Sequence, residues 1–202
     1  MQRIHAVFFH QGAPPLSDGA LRTEAGLAKL RAAAAAHLPA AGQQQVATAV
    51  DMIAATEARM GPLRRQLRDA AAHLTGAKVL AARLYGVGPF TALALTCWLG
   101  GADRFSSSRK AVRFTGLDIT VHSSDRKGPP GRLSRQGPPV LRWAVYEAGK
   151  THARTAAPDH ACYAQVKDRK NSKRACLSEA RKIVRQACHI RTELGDGALT
   201  TI

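Results

Sequence analysis

Val46, Ile53, Met60, Leu67 and Leu74 recur every seven residues, and Ala49, Thr56, Leu63 and Ala70 fall three residues after the first four. Apolar positions spaced alternately three and four apart lie on one stripe of an α-helix, here for about four heptads. That pattern demands a long helix and something to cover its stripe. The cover is the second arm of a helical hairpin, a second subunit in a coiled coil, or the chain's own domain; the spacing permits all three. Small residues at the second seam position weaken the pairing. Gly61-Pro62 sits inside the run and predicts a bend or a break.

The rest of the chain supports a mainly α fold. Alanine is abundant and aromatic residues make up only 5% of 202 residues, a balance that favours helix over sheet. "MQRIHAVFFH" (1–10) reads as the end of a helix whose beginning is missing, broken by "QGAPPLSDG". Residues 20–37 read as a short amphipathic helix stopped by Pro39. A long helical region is thus followed by a compact helical domain, and residues 196–202 read as a frayed, disordered tail.

Within the compact domain, "KVLAARLYGVGPFTALALTCWLG" (78–100) reads as helix, tight turn, helix. Gly86 and Gly88 supply turn dihedrals, and Pro89 opens the second helix. This is the helix-hairpin-helix pattern, in which turn amides and a helix N-terminus meet a nucleic-acid phosphate without reading bases. Gly86, Gly88 and Thr91 are its candidate contacts. A structural helical corner is the competing reading.

In "RFSSSRKAVRFTGL", Ser106 or Ser107 caps a short helix that carries Arg109, Lys110 and Arg113, and Gly116 ends it. Residues 117–123 alternate as a short extended piece, paired near Arg132 and Leu133 in a β-hairpin-like loop. Ser134 caps, and Pro138-Pro139 starts, a helix to about Ala153 whose core face carries Trp143 and Tyr146. Pro158 starts another helix. The last runs from about Lys173 to Leu194, with Leu177, Ala180, Ile183, Val184, Ala187 and Ile190 on one stripe, and Gly195 stops it.

Charge is uneven. Residues 104–191 hold 20 Lys/Arg against 6 Asp/Glu, most of the chain's net +16. A basic block inside a foldable sequence is the electrostatic footprint of a polyanion, DNA or RNA. Within it, "ITVHSSDRKGPPGRLSRQGPPVLRW" sets Ser123 and Ser124 among Arg126, Lys127, Arg132 and Arg135. Such a field suits a site that handles phosphate, which guanidinium groups bind and to which Lys127 adds a point charge; a solvent-exposed turn whose serines serve turn chemistry is the competing reading. Cys97, Cys162, Cys176 and Cys188 show no CxxC pair, so they read as reduced thiols and no metal ligands are assigned. No apolar run reaches membrane-spanning length. The expected location is cytoplasmic and nucleoid-associated.

"LYGVGPFTALAL", "RFSSSRKAVRFTGL" and "HSSDRKGPPGRLSRQGPPVLRWAVYEAG", in this order and spacing, resemble the C-terminal part of a bacterial insertion-sequence transposase family. That family carries a DEDD-type RuvC-like N-terminal domain and includes Piv-type DNA invertases and bridge-RNA-guided recombinases; residues 1–75 resemble its helical linker and coiled-coil region, and residues 78–195 its DNA-binding C-terminal transposase domain. The resemblance implies transposition or site-specific DNA recombination, with a loop serine as nucleophile. Ser124 holds that place, before Asp125 where the family pattern has glycine, and Ser123 is second. Arg126, Arg132 and Arg135 are implied to stabilise phosphate.

The resemblance also implies that magnesium is held only by the RuvC-like domain, which this sequence lacks. The expectation is therefore a truncated, DNA-binding half that is not catalytically competent alone and binds no cofactor itself. Structured guide RNA and a homo-oligomer through residues 46–74 are further implied partners. The alternative is a non-catalytic nucleic-acid-binding or dimerisation remnant that regulates an intact transposase. Whether the chain acts as an enzyme stays open at this point.

Overall fold

A computed structural model describes residues 2–15, 23–119, 131 and 133–201. The fold is mainly α, as expected: among the described residues there are nine α-helices and no β-strand. The chain divides into two compact units, Met1–Arg64 and Arg65–Ile202.

The first unit contains α1 (Gln2–His10), α2 (Glu24–His37) and the first part of α3 (Ala40–His73). Thr23 Oγ1 accepts the Gly26 amide at 3.1 Å and so caps α2. The helix stops at His37 because Pro39 forces Leu38 into extended backbone (φ −109°, ψ 147°). Its core joins Ile4 and Phe8 of α1, Leu30, Ala34 and Leu38, and Val46 and Val50 of α3.

Helix α3 corrects the expected break: it runs unbroken through Pro62. Proline removes the hydrogen bond to the carbonyl four residues earlier, that of Ala58. Ala58 is exposed, so water can satisfy that carbonyl and the helix survives the loss. The seam is used unevenly. Val46, Ala49 and Ile53 pack in the first unit's core, whereas Met60, Leu63 and Leu67 are 38, 56 and 37% exposed.

The second unit is built around α9 (Ser172–Leu194), against which α4 (Thr75–Arg83), α5 (Pro89–Leu99), α6 (Ser108–Phe114), α7 (Pro139–Lys150) and α8 (His160–Arg169) pack. Asn171 Oδ1 accepts the Arg174 amide at 3.0 Å to cap α9, and Gly195, at φ +55°, ends it. The buried stripe is Ala180, Ile183, Val184, Ala187 and Ile190, with Leu177 at its margin.

α7 departs from expectation. Its main core face is Leu141, Ala144, Val145 and Ala148; Tyr146 packs, as expected, against the smaller cluster of Tyr163, Ala175 and Cys176, while Trp143 is 57% exposed. Small residues face α9 because the two helices approach closely: a Cβ on Gly149 would stand 2.6 Å from the Cys176 carbonyl oxygen. Trp143 is too large for that side and lies edge-on to Phe90, ring centroids 6.0 Å apart. Of the thiols, Cys176 is buried, Cys188 partly so, and Cys97 and Cys162 are exposed.

The C-terminal segment is folded where the sequence suggested fraying. Gly195–Leu199 forms a 3-10 turn, Ala198 is fully buried, and Thr201 bridges to Leu74. Thr75 donates its amide to the Thr200 carbonyl at 3.1 Å. Gly76 admits this contact, since a Cβ there would meet the Ala198 carbonyl oxygen at 2.6 Å.

Candidate nucleic-acid interface

The turn between α4 and α5 has two glycines with different reasons to be there. Gly86 lies at φ +76°, and a Cβ would stand 2.0 Å from Thr151 Oγ1 and 2.9 Å from the Ala148 carbonyl oxygen. It is required by backbone conformation and by the close approach of α7. Gly88 is not left-handed (φ −79°, ψ 174°) and corrects the expectation that both supply turn dihedrals. A Cβ on Gly88 would meet nothing within 4 Å; it opens onto space.

Gly88 is the N-cap of α5 and Pro89 its first residue. The first intrahelical bond is Ala92 N to the Gly88 carbonyl, 2.9 Å. The amides of Phe90 and Thr91 precede it and have no intrahelical acceptor. Gly88 carries no side chain to cap them. Thr91 is half-buried and Phe90 exposed, so this helix end presents amide donors to solvent beside the Phe90–Trp143 pair.

α6 begins where Ser107 Oγ accepts the Lys110 amide at 3.4 Å, and Gly116, at φ +70°, ends it. Arg109, Lys110 and Arg113 are all exposed. Arg113 Nε lies 3.6 Å from Asp118 Oδ2, which links α6 to the loop that follows.

Ser123, Ser124, Arg126, Lys127 and Arg132 lie outside the described residues, as do His122 and Asp125. What the structure describes is the root on either side. Ile119 and Leu133 form an antiparallel bridge, which agrees with the hairpin-like pairing read from the sequence. The Ser134 amide donates to the Asp118 carbonyl at 3.0 Å, and the Arg135 amide to the Gly116 carbonyl at 3.1 Å. Ser134 does not cap α7 as expected; its Oγ donates to Asp118 Oδ1 at 2.5 Å. Gly116 and Gly137 lie back to back, and a Cβ on Gly137 would stand 2.2 Å from the Phe114 carbonyl oxygen.

Guanidinium groups surround this root. Arg135 is exposed and is the non-glycine residue with positive φ among those described, at +54°. Its amide and carbonyl are both engaged, the latter by Arg142 Nη1 at 3.1 Å. Arg142 also donates to the Gly137 carbonyl at 3.1 Å. From α9, Arg181 Nε donates to the Leu117 carbonyl at 2.7 Å.

Arg181 Nη2 is buried without a hydrogen-bond partner among the described residues. Burial pulls the Arg181 pKa below the ordinary arginine value, Arg174 and Arg185 add repulsion, and Asp118 opposes them. Sequence reading missed Arg174 and Arg181. Their signal was the spacing 174, 181, 185, which places three arginines on one face of α9.

The structure thus gathers Arg113, Arg135, Arg142 and Arg181 at one loop root. Arg109 and Lys110 share α6 with Arg113 but touch neither the root nor the glycine turn in the described contacts. The turn is tied to α7 through Phe90 and Trp143, the residue after Arg142. Asp118 accepts from Ser134 at Oδ1 and faces Arg113 with Oδ2.

Fold and loop root define a helical, basic domain with a braced loop root. Residues 79–165 of this domain match the family model described as Transposase IS116/IS110/IS902 family. The chain is also similar to a Pseudomonas aeruginosa protein described as a probable family 20 transposase, 29% identical over 143 residues. That alignment covers 69% of this chain and 41% of the relative, so the chain spans less than half the length of the curated relative it matches. No helix among the described residues is long and apolar enough to cross a membrane.

Proposed function

We propose that this chain is the DNA-binding, serine-bearing part of an insertion-sequence transposase or recombinase. The transposase family match over residues 79–165 carries this reading, because it contains the whole span from glycine turn to serine loop. Ser124, with Ser123 as second choice, attacks a DNA phosphodiester. Its Oγ forms the new P–O bond, the scissile P–O bond breaks, and the leaving sugar oxygen takes up a proton. The serine proton passes to a base outside the described residues. The phosphoserine link conserves bond energy, so strands can be rejoined without ATP.

Arg126, Arg132 and Arg135 stabilise charge on the non-bridging oxygens, and Arg181 holds the loop root at Leu117. Lys127, Arg109, Lys110, Arg113 and the open helix end at Gly88 and Thr91 hold the flanking backbone in a helix-hairpin-helix manner. Magnesium belongs to the RuvC-like domain that the resemblance implies. Structured guide RNA binds through the same phosphate contacts. Copies associate through the 46–74 seam at its solvent-facing part, Met60, Leu63 and Leu67, since Val46, Ala49 and Ile53 are taken up by the first unit's own core. The protein is then located with its DNA, at the nucleoid.

The test is covalent capture of a labelled DNA substrate by the chain together with a RuvC-like domain. Wild type is expected to form an adduct stable to denaturant, and Ser124→Ala to lose it while keeping salt-dependent DNA binding. Binding without any adduct in the wild type leaves the remnant reading in place and ends the nucleophile reading. An adduct that survives Ser124→Ala but not Ser123→Ala moves the nucleophile one residue.

A further inference from the structure

Behind the glycine turn, three side chains from separate elements converge. His152 lies in the 3-10 turn Thr151–Ala153, Asp159 immediately precedes α8, and Glu179 is on α9. One donor atom from each can be chosen so that all three lie within 4.8 Å of one another. His152 is 3% and Glu179 2% exposed. Both ring nitrogens of His152 and Oε2 of Glu179 are buried without a hydrogen-bond partner among the described residues. Such groups are costly unless something satisfies them.

The spacing says what that is. His152 Nδ1 and Glu179 Oε2 face each other at 3.6 Å, too far for a charge-assisted hydrogen bond, which closes to about 2.7–2.9 Å. Two ligands on one zinc ion, each at about 2.1 Å, stand about 3.4 Å apart at the tetrahedral angle. Asp159 completes the set. Lys182 Nζ holds its Oδ1 at 2.6 Å, but a carboxylate has two oxygens. One imidazole with two carboxylates suits zinc and its neighbours better than magnesium or calcium, which prefer oxygen alone.

We infer that His152, Asp159 and Glu179 form a structural site for a divalent transition metal of the zinc class. The site ties the turn after α7 to α8 and α9. It also stiffens the floor under the glycine turn, because the Tyr85 ring packs edge-on against His152 at 5.4 Å and Thr151 backs Gly86. Lys182 restrains its affinity as a competing cation at Asp159. No metal ligands were assigned from the sequence, since separations of seven and twenty residues carry no recognised metal spacing. The inference stands apart from any reading of the serine loop.

The test uses the full chain, free of any affinity tag and stripped with chelator, titrated with Zn2+ alone. One equivalent is expected to bind and to raise the melting temperature, and chelator to reverse the rise. Glu179→Gln, which keeps size and removes charge, is expected to lower zinc affinity at least about tenfold, and His152→Asn likewise. Lys182→Met is expected to raise it, an effect no surface histidine or thiol site would show. Should His152→Asn fail to fold, Glu179→Gln and Lys182→Met still decide. Wild type that takes up no zinc, or binding unchanged in both of those variants, overturns the site and leaves a plain buried histidine–carboxylate pair.

Discussion

Arg181 Nε donates to the carbonyl oxygen of Leu117 at 2.7 Å, joining the middle of α9 to the root of the serine loop across 64 residues of chain. Leu117 is fully buried, so no water replaces the donor if it is lost. Arg181→Ala is expected to cost about 1–3 kcal/mol, the penalty of an orphaned buried carbonyl. Arg181→Lys has no Nε fork to place and recovers only part of this. Urea denaturation of the three proteins checks both. An unchanged midpoint for Arg181→Ala would show that the root stands without this clamp.

The two turn glycines separate folding from binding. Gly86→Ala forces an L-residue into φ +76° and drives a methyl against Thr151 Oγ1 and the Ala148 carbonyl. It is expected to destabilise the second unit by more than about 1–2 kcal/mol. Gly88→Asp has the opposite sign for folding: its Cβ meets no atom within 4 Å, and its carboxylate supplies the missing N-cap and sets a negative charge at the helix's positive end. A gain of a few tenths to about 1 kcal/mol follows. The same carboxylate repels a phosphate at that place, so DNA affinity is expected to fall as stability rises. Thermal melts and a DNA titration on one preparation read both signs.

What was legible in the sequence obeyed local rules. Pro89 at a first helical position, Ser107 as a cap, Gly116 and Gly195 as stops, and the apolar stripe of α9 each depend on a few neighbouring residues. What was not legible depended on partners. Trp143 resembled core until the close α7–α9 approach reserved that face for Leu141, Ala144, Val145 and Ala148. Pro62 resembled a break, but the carbonyl it deprives faces water. The folded tail needed Gly76, more than a hundred residues away, to leave room for the Ala198 carbonyl. The serine pair itself lies outside the described residues, and only its root can be compared. There Ser134 bonds to Asp118 rather than to α7, and three arginines at positions 174, 181 and 185 had shown themselves only as helical spacing.

Helix α3 makes a prediction about assembly. Leu63 is 56% exposed on an unbroken helix, flanked along the seam by Met60 and Leu67. Leu63→Glu removes no packed contact, so its effect on folding is expected within about 0.5 kcal/mol. A charge in the middle of a paired seam is far more costly. Sedimentation is expected to show wild type self-associating and Leu63→Glu shifted to monomer at equal concentration. A wild type that sediments as a monomer throughout would remove residues 46–74 as an assembly surface.

Arg135 combines a strained backbone with an exposed guanidinium, and one substitution pulls the two apart. At φ +54° an L-residue carries about 1–2 kcal/mol of strain that glycine does not. The amide and carbonyl that engage Gly116 and Arg142 belong to the backbone and persist in Arg135→Gly. Relief of strain and the added chain entropy of glycine oppose each other, so stability is expected to change by less than about 1 kcal/mol. Removing one phosphate contact lowers DNA affinity and reduces the slope of log affinity against log salt by about 0.9. Arg135→Lys retains the charge and the slope but returns the strain. If Arg135→Gly binds DNA with an unchanged salt slope, this guanidinium does not meet phosphate, and its left-handed conformation serves the loop root alone.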